Sequence, residues 1–505
     1  MPMTTRSLAR VALLLKRDLT LGTLADRLSE VHGHRVLVTE ADGAEARTYI
    51  QAAEAVRRWA GGIAERTSPG DVVVVATPNG YEQALLCCAI SRAGAIPAPI
   101  NDQMTPDEVA HIVQDSGAVL VVQAAAELDA AAPMERPYPS RSEEVAALFY
   151  TSGTTGQPKG AALTHRGLVG QWSSAAVWPT RLHRDEAVIA LPVAHIMGFA
   201  VVIGLAVAGI PTYFLPTFNP VVVLQAIETR RATIFVGVPA MYRMLEEAGA
   251  VEHDLTSVRV WASGADAMPR ELAERFQKMG ATVTLPLLGA IGQATFAEGY
   301  GMVEVGGGVA AKVMPPYLQR LSGSLGNALG FALPGYDLRI VDEAGVAQRS
   351  GSVGELQVRG PGVLKAYWGD EEATDAVITA DGWLRTGDLA RKGILGLLVF
   401  EGRSKHVIKR GGYSVYALEV EQSLEQHPAV LEASVVGLPD ERLGEVPVAV
   451  VRLRAGSTLR KARLEAYAAE HLADYKRPTR YLVVDELPRT GTRKVQKSAL
   501  LALFA

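Results

Sequence analysis

The segment YTSGTTGQPKG, Tyr150–Gly160, follows the hydrophobic run VAALF and is rich in hydroxyl groups and glycine, with a single lysine at Lys159. Glycines let a backbone approach a ligand closely, hydroxyl groups donate hydrogen bonds to phosphate oxygens, and an ammonium group adds a point charge. The segment does not fit the Walker A pattern, because Pro158 precedes the lysine and Gly160 follows it. It therefore predicts a phosphate-binding loop of another kind, although such a composition is also typical of a plain turn.

The chain on either side of this loop alternates short apolar runs with amphipathic segments. Before the loop the series is DVVVVA, YEQALLCCAISRAG, AIPAPI, TPDEVAHIVQDSG and AVLVV, and after it RATIFVGVPAMYRML and VRVWASGADAMP continue it. This order is typical of a mostly parallel sheet covered by helices. Within it, Thr105, Pro106 and Glu108 predict a helix start with a capping box.

The pattern changes after about residue 320, where GYDLRIVD, GELQVRG and the segment Trp383–Phe400 indicate short antiparallel strands. From about Ser404 onward, a hairpin-like HVIKRGGYSVY, two helical segments and a strand pair predict a compact α+β unit. We therefore expect an α/β protein. Residues 1–403 would form a large N-terminal domain of mostly parallel sheets with helices plus a small antiparallel β subdomain. Residues 404–505 would form a small α+β C-terminal domain.

Length and charge narrow the classes of function. At 505 residues the chain is longer than a single hydrophobic core supports. Its 50 basic and 54 acidic residues give a net charge of -4, which gives no electrostatic reason to expect a nucleic acid partner. Cys87 and Cys88 lie in the apolar run ALLCCAI and are predicted to be core residues in a reducing, cytoplasmic protein.

No membrane-spanning segment is expected. The N-terminal run VALLL is shorter than the apolar region of a signal peptide. The stretch Ala187–Ile227 lacks Asp, Glu, Lys and Arg, but four prolines interrupt it, and its longest apolar piece, MGFAVVIGLAVAGI, is shorter than a span. This piece predicts a buried core helix without integral membrane association.

The loop sequence YTSGTTGQPKG resembles the signature of the adenylate-forming superfamily, which includes acyl-CoA synthetases, carrier-protein-loading adenylation domains and luciferases. Other segments resemble that family's remaining motifs in the same order along nearly the whole chain: LPVAHIMGF, EGYGMVE, VGELQVRG, DGWLRTGDL, EGRSKHVIKRGGYSVYALEVE and LPRTGTRKVQK. The resemblance implies two domains with the active site between them. It also implies two reactions, in which a carboxylate attacks the α-phosphate of ATP to give acyl-AMP and pyrophosphate, and a thiol then displaces AMP.

The resemblance implies a role for each matching residue of the N-terminal domain. Glu304 matches the carboxylate that binds Mg²⁺, and His195 lies at the family's histidine or aromatic position beside the acyl pocket. Tyr300, within the motif that includes Gly301, would pack on adenine. Gly264 and Ala265 would form the opposite wall. The loop that grips the β- and γ-phosphates would consist of Thr151, Ser152, Gly153, Thr154, Thr155, Gly156 and Lys159.

Further roles fall in the C-terminal third. Asp388 matches the acid that accepts both ribose hydroxyls, and Arg403 matches the second partner of those hydroxyls. Lys494 matches the lysine that reaches the α-phosphate and the acyl carboxylate, although only motif position distinguishes it from Lys497. Lys405 falls at the family's hinge, about which the small domain would rotate after adenylation. That rotation would bring the hairpin at Gly411 and Gly412 to the thiol channel.

Three positions depart from the family pattern. Val303 replaces the usual threonine of the Tyr-Gly-x-Thr-Glu segment, Arg493 replaces the glycine before the catalytic lysine, and His406 replaces an acidic residue after the hinge. The missing hydroxyl at Val303 would weaken ATP binding or slow adenylation. These departures leave open a specialisation for one half-reaction, with a partner enzyme supplying the other.

The substrate is expected to be a hydrophobic, bulky or long carboxylic acid of aliphatic, alicyclic or terpenoid-like type. The segments HIMGFAVVIGLAVAGI and LLGAIGQATFAEG are apolar, and the first contains no acid that would hold an amino group. CoA is favoured as the thiol over a carrier protein, because the chain is basic from Val451 onward. The expected cosubstrates and cofactor are thus ATP, CoA and Mg²⁺. Homodimer formation and a catalytically inactive acyl- or nucleotide-binding protein stay open.

Overall fold

The structure of the protein, a computed structural model, describes residues 19–41, 43, 46–129, 132–151, 158–178, 185–285, 289–315, 328–393, 396–489 and 495–504. The chain forms two compact units. The first contains residues up to Asp337 together with Val358–Leu384, and the second contains Leu338–Gln357 together with Arg385–Ala505. This division groups the antiparallel strands around residues 338–357 and 385–403 with the C-terminal part, whereas the sequence placed them in the N-terminal domain. The boundary at residue 403 and the hinge near Lys405 stay predictions.

The first unit contains most of the helices. They are α1 (Leu21–His32), α2 (Tyr49–Ala64), α3 (Tyr81–Arg92), α4 (Pro106–Ser116), α5 (His165–Leu168), α6 (Ile196–Ala208), α7 (Pro220–Arg230), α8 (Pro239–Glu247), α9 (Arg270–Met279) and α10 (Glu371–Val377). Helix α4 begins as the sequence predicted, because Thr105 and Glu108 form a reciprocal capping box and Pro106 occupies the first turn.

The strands of the first unit belong to several sheets. They are β1 (Val36–Glu40), β2 (Arg47–Thr48), β3 (Val72–Val75), β4 (Ile96–Pro99), β5 (Leu120–Val122), β6 (Val145–Thr151), β7 (Lys159–Thr164), β8 (Ala187–Ile189), β9 (Thr212–Phe214), β10 (Ile234–Gly237), β11 (Val260–Gly264), β12 (Val283–Leu285), β13 (Gly289–Ile291), β14 (Thr295–Met302), β15 (Gly307–Met314), β16 (Ala328–Ala332) and β19 (Ala366–Tyr367).

The largest of these sheets has the order β2-β1-β9-β8-β10-β11-β14-β15-β16, and its central strands from β1 to β14 pair in parallel. A second sheet, β4-β3-β5, is also parallel. A third, β6-β7-β19, is antiparallel. The α/β class predicted from the alternating pattern is therefore confirmed.

An aromatic cluster fills the core on one face of the large sheet. Phe235, Tyr242, Trp261, Phe276 and Phe296 are fully or almost fully buried, and neighbouring rings meet mostly edge to face at centroid distances of 4.9 to 6.1 Å. Edge-to-face contacts add directional preference to hydrophobic burial. The cluster thereby fixes the position of β11 and β14, the two strands whose C-terminal ends carry predicted site residues.

Helix α6 is apolar around most of its surface and largely buried, as its composition predicted. Phe199 on this helix meets Phe149 of β6 edge to face at 5.2 Å. Cys87 and Cys88 are buried, unpaired core residues of α3, also as predicted. Among the described residues, no helix combines the length and apolar character that crossing a membrane requires.

The second unit is an α+β structure. Its strands are β17 (Asp337–Val341), β18 (Gly354–Arg359), β20 (Leu384–Lys392), β21 (Leu398–Arg403), β22 (Val407–Arg410), β23 (Tyr413–Tyr416), β24 (Val430–Asp440), β25 (Gly444–Leu453) and β26 (Arg480–Val484), and its helices are α11 (Ala417–Glu425), α12 (Lys461–His471) and α13 (Lys497–Leu501). Strands β22 and β23 form the predicted hairpin, and β24 and β25 form the predicted antiparallel pair. Valine and alanine side chains of β24 and β25 pack with Leu464 and Ala468 of α12 to form the core.

Candidate functional site

The predicted phosphate loop connects two strands of a hairpin in the first unit. Thr151 ends β6 and lies opposite Lys159, the first residue of β7, while Tyr150 lies opposite Gly160. The hairpin therefore positions both flanks of the loop. The central loop residues lie outside the described part of the chain: Ser152, Gly153, Thr154, Thr155 and Gly156.

Lys159 forms an ion pair with a residue far away in sequence. Its Nζ lies 2.9 Å from Oδ2 of Asp370, and both side chains are between a third and two-fifths exposed. The same ammonium group lies 5.8 Å from the centroid of the Tyr367 ring, within the range of a cation–π contact. The Lys159 hydrogen bond and the backbone amide of Ala373 lower the pKa of Asp370. The carboxylate is thus ionised at neutral pH.

Glu304 lies on a one-turn 3₁₀ helix, Val303–Val305, directly after β14. Its backbone carbonyl accepts a hydrogen bond from the amide of Leu364 at 2.8 Å, and its Oε1 accepts one from the Tyr367 hydroxyl at 2.9 Å. Burial, followed by the charge of Glu304, raises the pKa of Tyr367, so the hydroxyl keeps the proton that it donates. Both backbone and side chain of Glu304 are therefore held from one neighbouring segment.

That segment, Leu364–Thr374, also contacts the strand that carries Lys159. Its short strand β19 pairs antiparallel with β7, and the Trp368 amide donates to the Gly160 carbonyl at 2.7 Å. We call Leu364–Thr374 the bridging segment, because it connects Lys159 and Glu304. No motif in the sequence singled out Tyr367 and Asp370, the two side chains of this segment that contact Glu304 and Lys159. An aspartate before EEAT is a recognisable helix N-cap, which could have drawn attention to Asp370.

The residues predicted to surround adenine lie on neighbouring strands. Gly264 of β11 lies opposite Gly299 of β14, so Ala265 and Tyr300 follow at adjacent strand ends. Ala265 has a φ of 67°, in the left-handed region that alanine rarely adopts. Such a conformation costs of order 1 to 3 kcal/mol and tends to cluster at functional sites. The structure brings Gly264, Ala265 and Tyr300 together.

Gly301 and His195 have clear local roles. A Cβ at Gly301 would lie 1.6 Å from the Gly307 carbonyl oxygen, so the close pairing of β14 with β15 excludes any side chain there. His195 is the N-cap of α6, and its Nδ1 accepts a hydrogen bond from the Met197 amide at 3.3 Å. This contact accounts for a histidine at the start of an apolar helix.

In the second unit, Asp388 and Arg403 are register partners on β20 and β21. Arg403 Nε lies 3.1 Å from Asp388 Oδ1; Asp388 is 2% exposed and Arg403 is 43% exposed. The arginine thus compensates a carboxylate that would otherwise be costly to bury. The two residues predicted to hold ribose lie together.

The predicted hinge comes directly after Arg403 in the chain. Lys405 lies on the 3₁₀ turn Ser404–His406, and burial together with Arg403 lowers its pKa. Burial, Lys497, Lys405 and Arg403 lower the pKa of His406 to about 3, so this residue, which replaces an acid, is neutral. Gly411 and Gly412 turn the β22–β23 hairpin with φ values of 56° and 84°, which glycine adopts without strain.

Lys494 and Arg493 lie outside the described residues. The competing lysine, Lys497, is described, and its Nζ lies 2.6 Å from Glu421 Oε1 and 3.1 Å from the Val435 carbonyl. Both partners belong to the second unit's own fold. Lys497 thus has a structural position, and the role of Lys494 stays a prediction.

Comparison with known proteins agrees with this geometry. The AMP-binding enzyme family matches residues 25–138 and 123–368, and the AMP-binding enzyme C-terminal domain matches residues 419–494. The chain belongs to the AMP-binding enzyme family. The adenylate-forming resemblance derived from the motifs is therefore confirmed.

Relatives of the chain within this family include CoA ligases. A feruloyl-CoA synthase from Amycolatopsis sp is 33% identical over 97% of this chain and 100% of its own length. A ligase from Mycobacterium tuberculosis that joins a methyl-dioxo-octahydro-indenyl propanoyl group to CoA is 32% identical over 87% of this chain and 90% of its own length. The o-succinylbenzoate CoA synthetase of Bacillus subtilis, solved with ATP and a magnesium ion, has a TM-score of 0.78 and 26% identity over 95% of this chain and 99% of that one.

The donor groups of the first unit fit Mg²⁺ held together with substrate phosphates. Within the described ranges, no group of three or more His, Cys, Asp or Glu side chains could hold a metal ion by itself. Mg²⁺ commonly binds through one or two carboxylates and completes its shell with phosphate oxygens and water. Glu304, partly exposed and oriented by Tyr367, is a carboxylate of that kind.

Proposed function

We propose that this protein is an ATP-dependent acyl-CoA synthetase that activates a bulky hydrophobic carboxylic acid as acyl-AMP and then transfers the acyl group to CoA. The observation that carries the proposal is the relationship, over nearly the whole chain, to ligases that join bulky acids to CoA. The acid–thiol ligase class and the use of ATP, Mg²⁺ and CoA agree with what those relatives and the ATP- and magnesium-bound neighbour catalyse and bind.

In the proposed adenylation step, Lys159 and the loop before it bind the β- and γ-phosphates. Negative charge grows on the departing pyrophosphate as the bond to the α-phosphate breaks. A cation and hydroxyl donors already directed at those oxygens stabilise the transition state more than the ground state. Glu304 would hold Mg²⁺, which supplies charge neutralisation at the phosphates. The Tyr367 hydroxyl keeps one oxygen of that carboxylate in place.

The nucleoside would be held as the family motifs predict. Tyr300 would contact one face of adenine, and Gly264 and Ala265 would contact the other. Asp388 would accept hydrogen bonds from the ribose hydroxyls while Arg403 balances its charge. Gly301 would lie beside the nucleotide, and the Gly307 carbonyl of β15 fills the space that a side chain would take there.

Lys494 would place a positive charge between the α-phosphate and the acyl carboxylate, which lowers the cost of bringing two anions together. In the second step the segment at Lys405 would act as the hinge. The hairpin at Gly411 and Gly412 would then lie at the channel through which the thiol of CoA enters. One site would thereby serve two reactions in sequence.

The substrate class is inferred from the apolar surroundings of the first unit. Helix α6 has no charged residue, and His195 at its N-terminus is occupied as a cap. An apolar helix of this kind suits an aliphatic, alicyclic or terpenoid-like acid, and the feruloyl and indenyl propanoyl groups named for the relatives are likewise bulky.

Product analysis tests the proposal directly. Purified protein is incubated with ATP, Mg²⁺ and a panel of hydrophobic acids and amino acids, with and without CoA, and acyl-AMP and acyl-CoA are followed by mass spectrometry. We expect acyl-CoA from a bulky hydrophobic acid. Thioester formation with amino acids alone, or with a carrier protein and not with CoA, would contradict the proposed substrates.

The alternative of a single half-reaction is favoured by one observation, the replacement of a threonine by Val303. A parallel reaction starting from synthetic acyl-AMP and CoA separates the two steps. The isosteric variant Val303→Thr restores the hydroxyl, and we expect it to speed adenylation about 10- to 100-fold, the value of one hydrogen bond to a charged group. Thioester from acyl-AMP alone would establish the specialised enzyme. Cytoplasmic location, a homodimer and a partner enzyme stay predictions.

A further inference from the structure

The structure holds Lys159 on a carboxylate that the adenylation chemistry does not use. We propose that Asp370 is an electrostatic latch for Lys159: it competes with the polyphosphate for the ammonium group and recaptures Lys159 as pyrophosphate leaves. This inference rests on the proposed function, because it assigns a positioning residue to the same phosphate site. It concerns a residue 211 positions away from the loop lysine.

The position of the Asp370 carboxylate does not depend on Lys159. Its Oδ1 accepts a hydrogen bond from the Ala373 amide at 2.8 Å, while Oδ2 faces the ammonium group. The turn beneath it is closed by Thr374, whose hydroxyl donates to the Asp370 carbonyl at 2.7 Å and accepts from the Tyr367 amide at 2.9 Å. Asp370 is therefore a fixed acceptor, and the flexible partner is the lysine side chain.

The ion pair between Lys159 and Asp370 is weak enough for polyphosphate oxygens to displace Asp370 reversibly. Both side chains are more than a third exposed, so solvent screens their attraction. Exposed pairs of this kind shift an equilibrium by a factor of roughly 1.5 to 5. A pyrophosphate group offers the lysine several charged oxygens in place of one carboxylate, so it displaces Asp370. Polyphosphate binding breaks the ion pair between Lys159 and Asp370. Asp370 therefore weakens polyphosphate binding by the free energy of that ion pair.

The latch predicts a selective effect on ligands. ATP and pyrophosphate carry the phosphates that compete with Asp370 for Lys159, whereas AMP lacks them. Removing the carboxylate charge should tighten the first two ligands and leave AMP unchanged. A general change in folding or in the nucleoside site would instead alter AMP binding as well.

Asp370→Asn isolates this charge, because asparagine is as good an N-cap as aspartate and keeps the bond to Ala373. Glu371→Gln is the matched control, since it removes the same charge one residue further along the bridging segment, where the side chain is exposed. Dissociation constants for magnesium pyrophosphate, ATP and AMP are measured by calorimetry for the full chain and both variants. We expect D370N to bind pyrophosphate and ATP about two- to fivefold more tightly, with AMP unchanged and E371Q like the unmodified protein. If D370N does not fold, Asp370→Ser, which also caps, replaces it.

A double-mutant cycle assigns the effect to the pair. In a Lys159→Ala background, the D370N substitution should no longer tighten pyrophosphate binding, because the competition has been removed. Unchanged or weaker pyrophosphate binding by D370N in the otherwise unmodified chain overturns the latch, and so does a gain that persists without Lys159. If the unmodified protein binds neither ATP nor pyrophosphate, the proposed function fails together with the latch. Normal binding with an inert D370N refutes the latch alone.

Discussion

Replacing Tyr367 by phenylalanine removes the hydroxyl that donates to Glu304 and leaves the ring beside Lys159 in place. The hydrogen bond is 2.9 Å long and ends on a carboxylate. Hydrogen bonds to charged groups contribute about 1.5 to 3 kcal/mol. If this energy orients Glu304 toward Mg²⁺ only when phosphates are bound, its loss slows adenylation about 10- to 100-fold, since 1.36 kcal/mol corresponds to a factor of ten.

The assay separates the two half-reactions. Pyrophosphate release from acid and ATP is measured over a range of Mg²⁺ concentrations, and thioester formation is measured from synthetic acyl-AMP and CoA. We expect Tyr367→Phe to lower kcat/KM of the first reaction and to raise the Mg²⁺ concentration that it requires. The second reaction, which involves no pyrophosphate, should be unchanged.

Tyr49→Phe provides the control. Tyr49 is buried and donates its hydroxyl to the Ala206 carbonyl at 2.9 Å, in contact with neither Lys159 nor Glu304. It should lose stability without a change in Mg²⁺ dependence. Equal slowing of both half-reactions by Tyr367→Phe, or an unchanged Mg²⁺ requirement, would refute the orienting role of the hydroxyl.

Three other predictions follow from single residues. Burial lowers the pKa of His165 to about 4, and the neutral Nδ1 of this residue accepts a hydrogen bond from the Leu21 amide. The free energy of unfolding should therefore fall by about 3 kcal/mol as pH drops from 6.5 to 4. In denaturant titrations over this pH range, His165→Asn should show a smaller fall in the free energy of unfolding than the unmodified protein. Asp388→Asn should weaken AMP binding about tenfold in calorimetry and leave pyrophosphate binding unchanged, because a neutral acceptor bonds ribose hydroxyls less strongly; equal weakening of both ligands would contradict its ribose role. Ala265→Gly should raise the free energy of unfolding by about 1 kcal/mol, since glycine adopts a φ of 67° without strain, and a loss of stability would argue against strain there.

Local patterns predicted a large part of the fold. The cap at Thr105, the buried helix at Ile196–Ala208 and the hairpin turning at Gly411 and Gly412 each depend on a few neighbouring residues. The motifs also singled out Tyr300 and Glu304 as candidate site residues. Periodicity, capping and turn chemistry act over short distances along the chain, so their signals are readable without a structure.

Local sequence patterns do not predict in the same way which helices and strands pack into one compact unit. The strand pattern predicts residues 338–357 and 385–403 within the N-terminal domain, whereas the structure packs these segments into one compact unit with the C-terminal α+β part; the domain boundary at residue 403 stays a prediction. An alternating strand pattern indicates a sheet but does not specify which body of the protein the sheet joins, because strand pairing depends on long-range packing.

The sequence by itself determined the family and the α/β class, and it predicted Lys159 as the phosphate-loop lysine and Glu304 as the metal carboxylate, because each belongs to a short motif whose chemistry is local. Only the tertiary structure decided the partners of those two side chains. Tyr367 lies 63 positions from Glu304 and Asp370 lies 211 positions from Lys159. Pairing of β19 with β7 brings the bridging segment between them, and such contacts between distant residues arise from the packed fold and leave no spacing in the sequence from which they could be predicted.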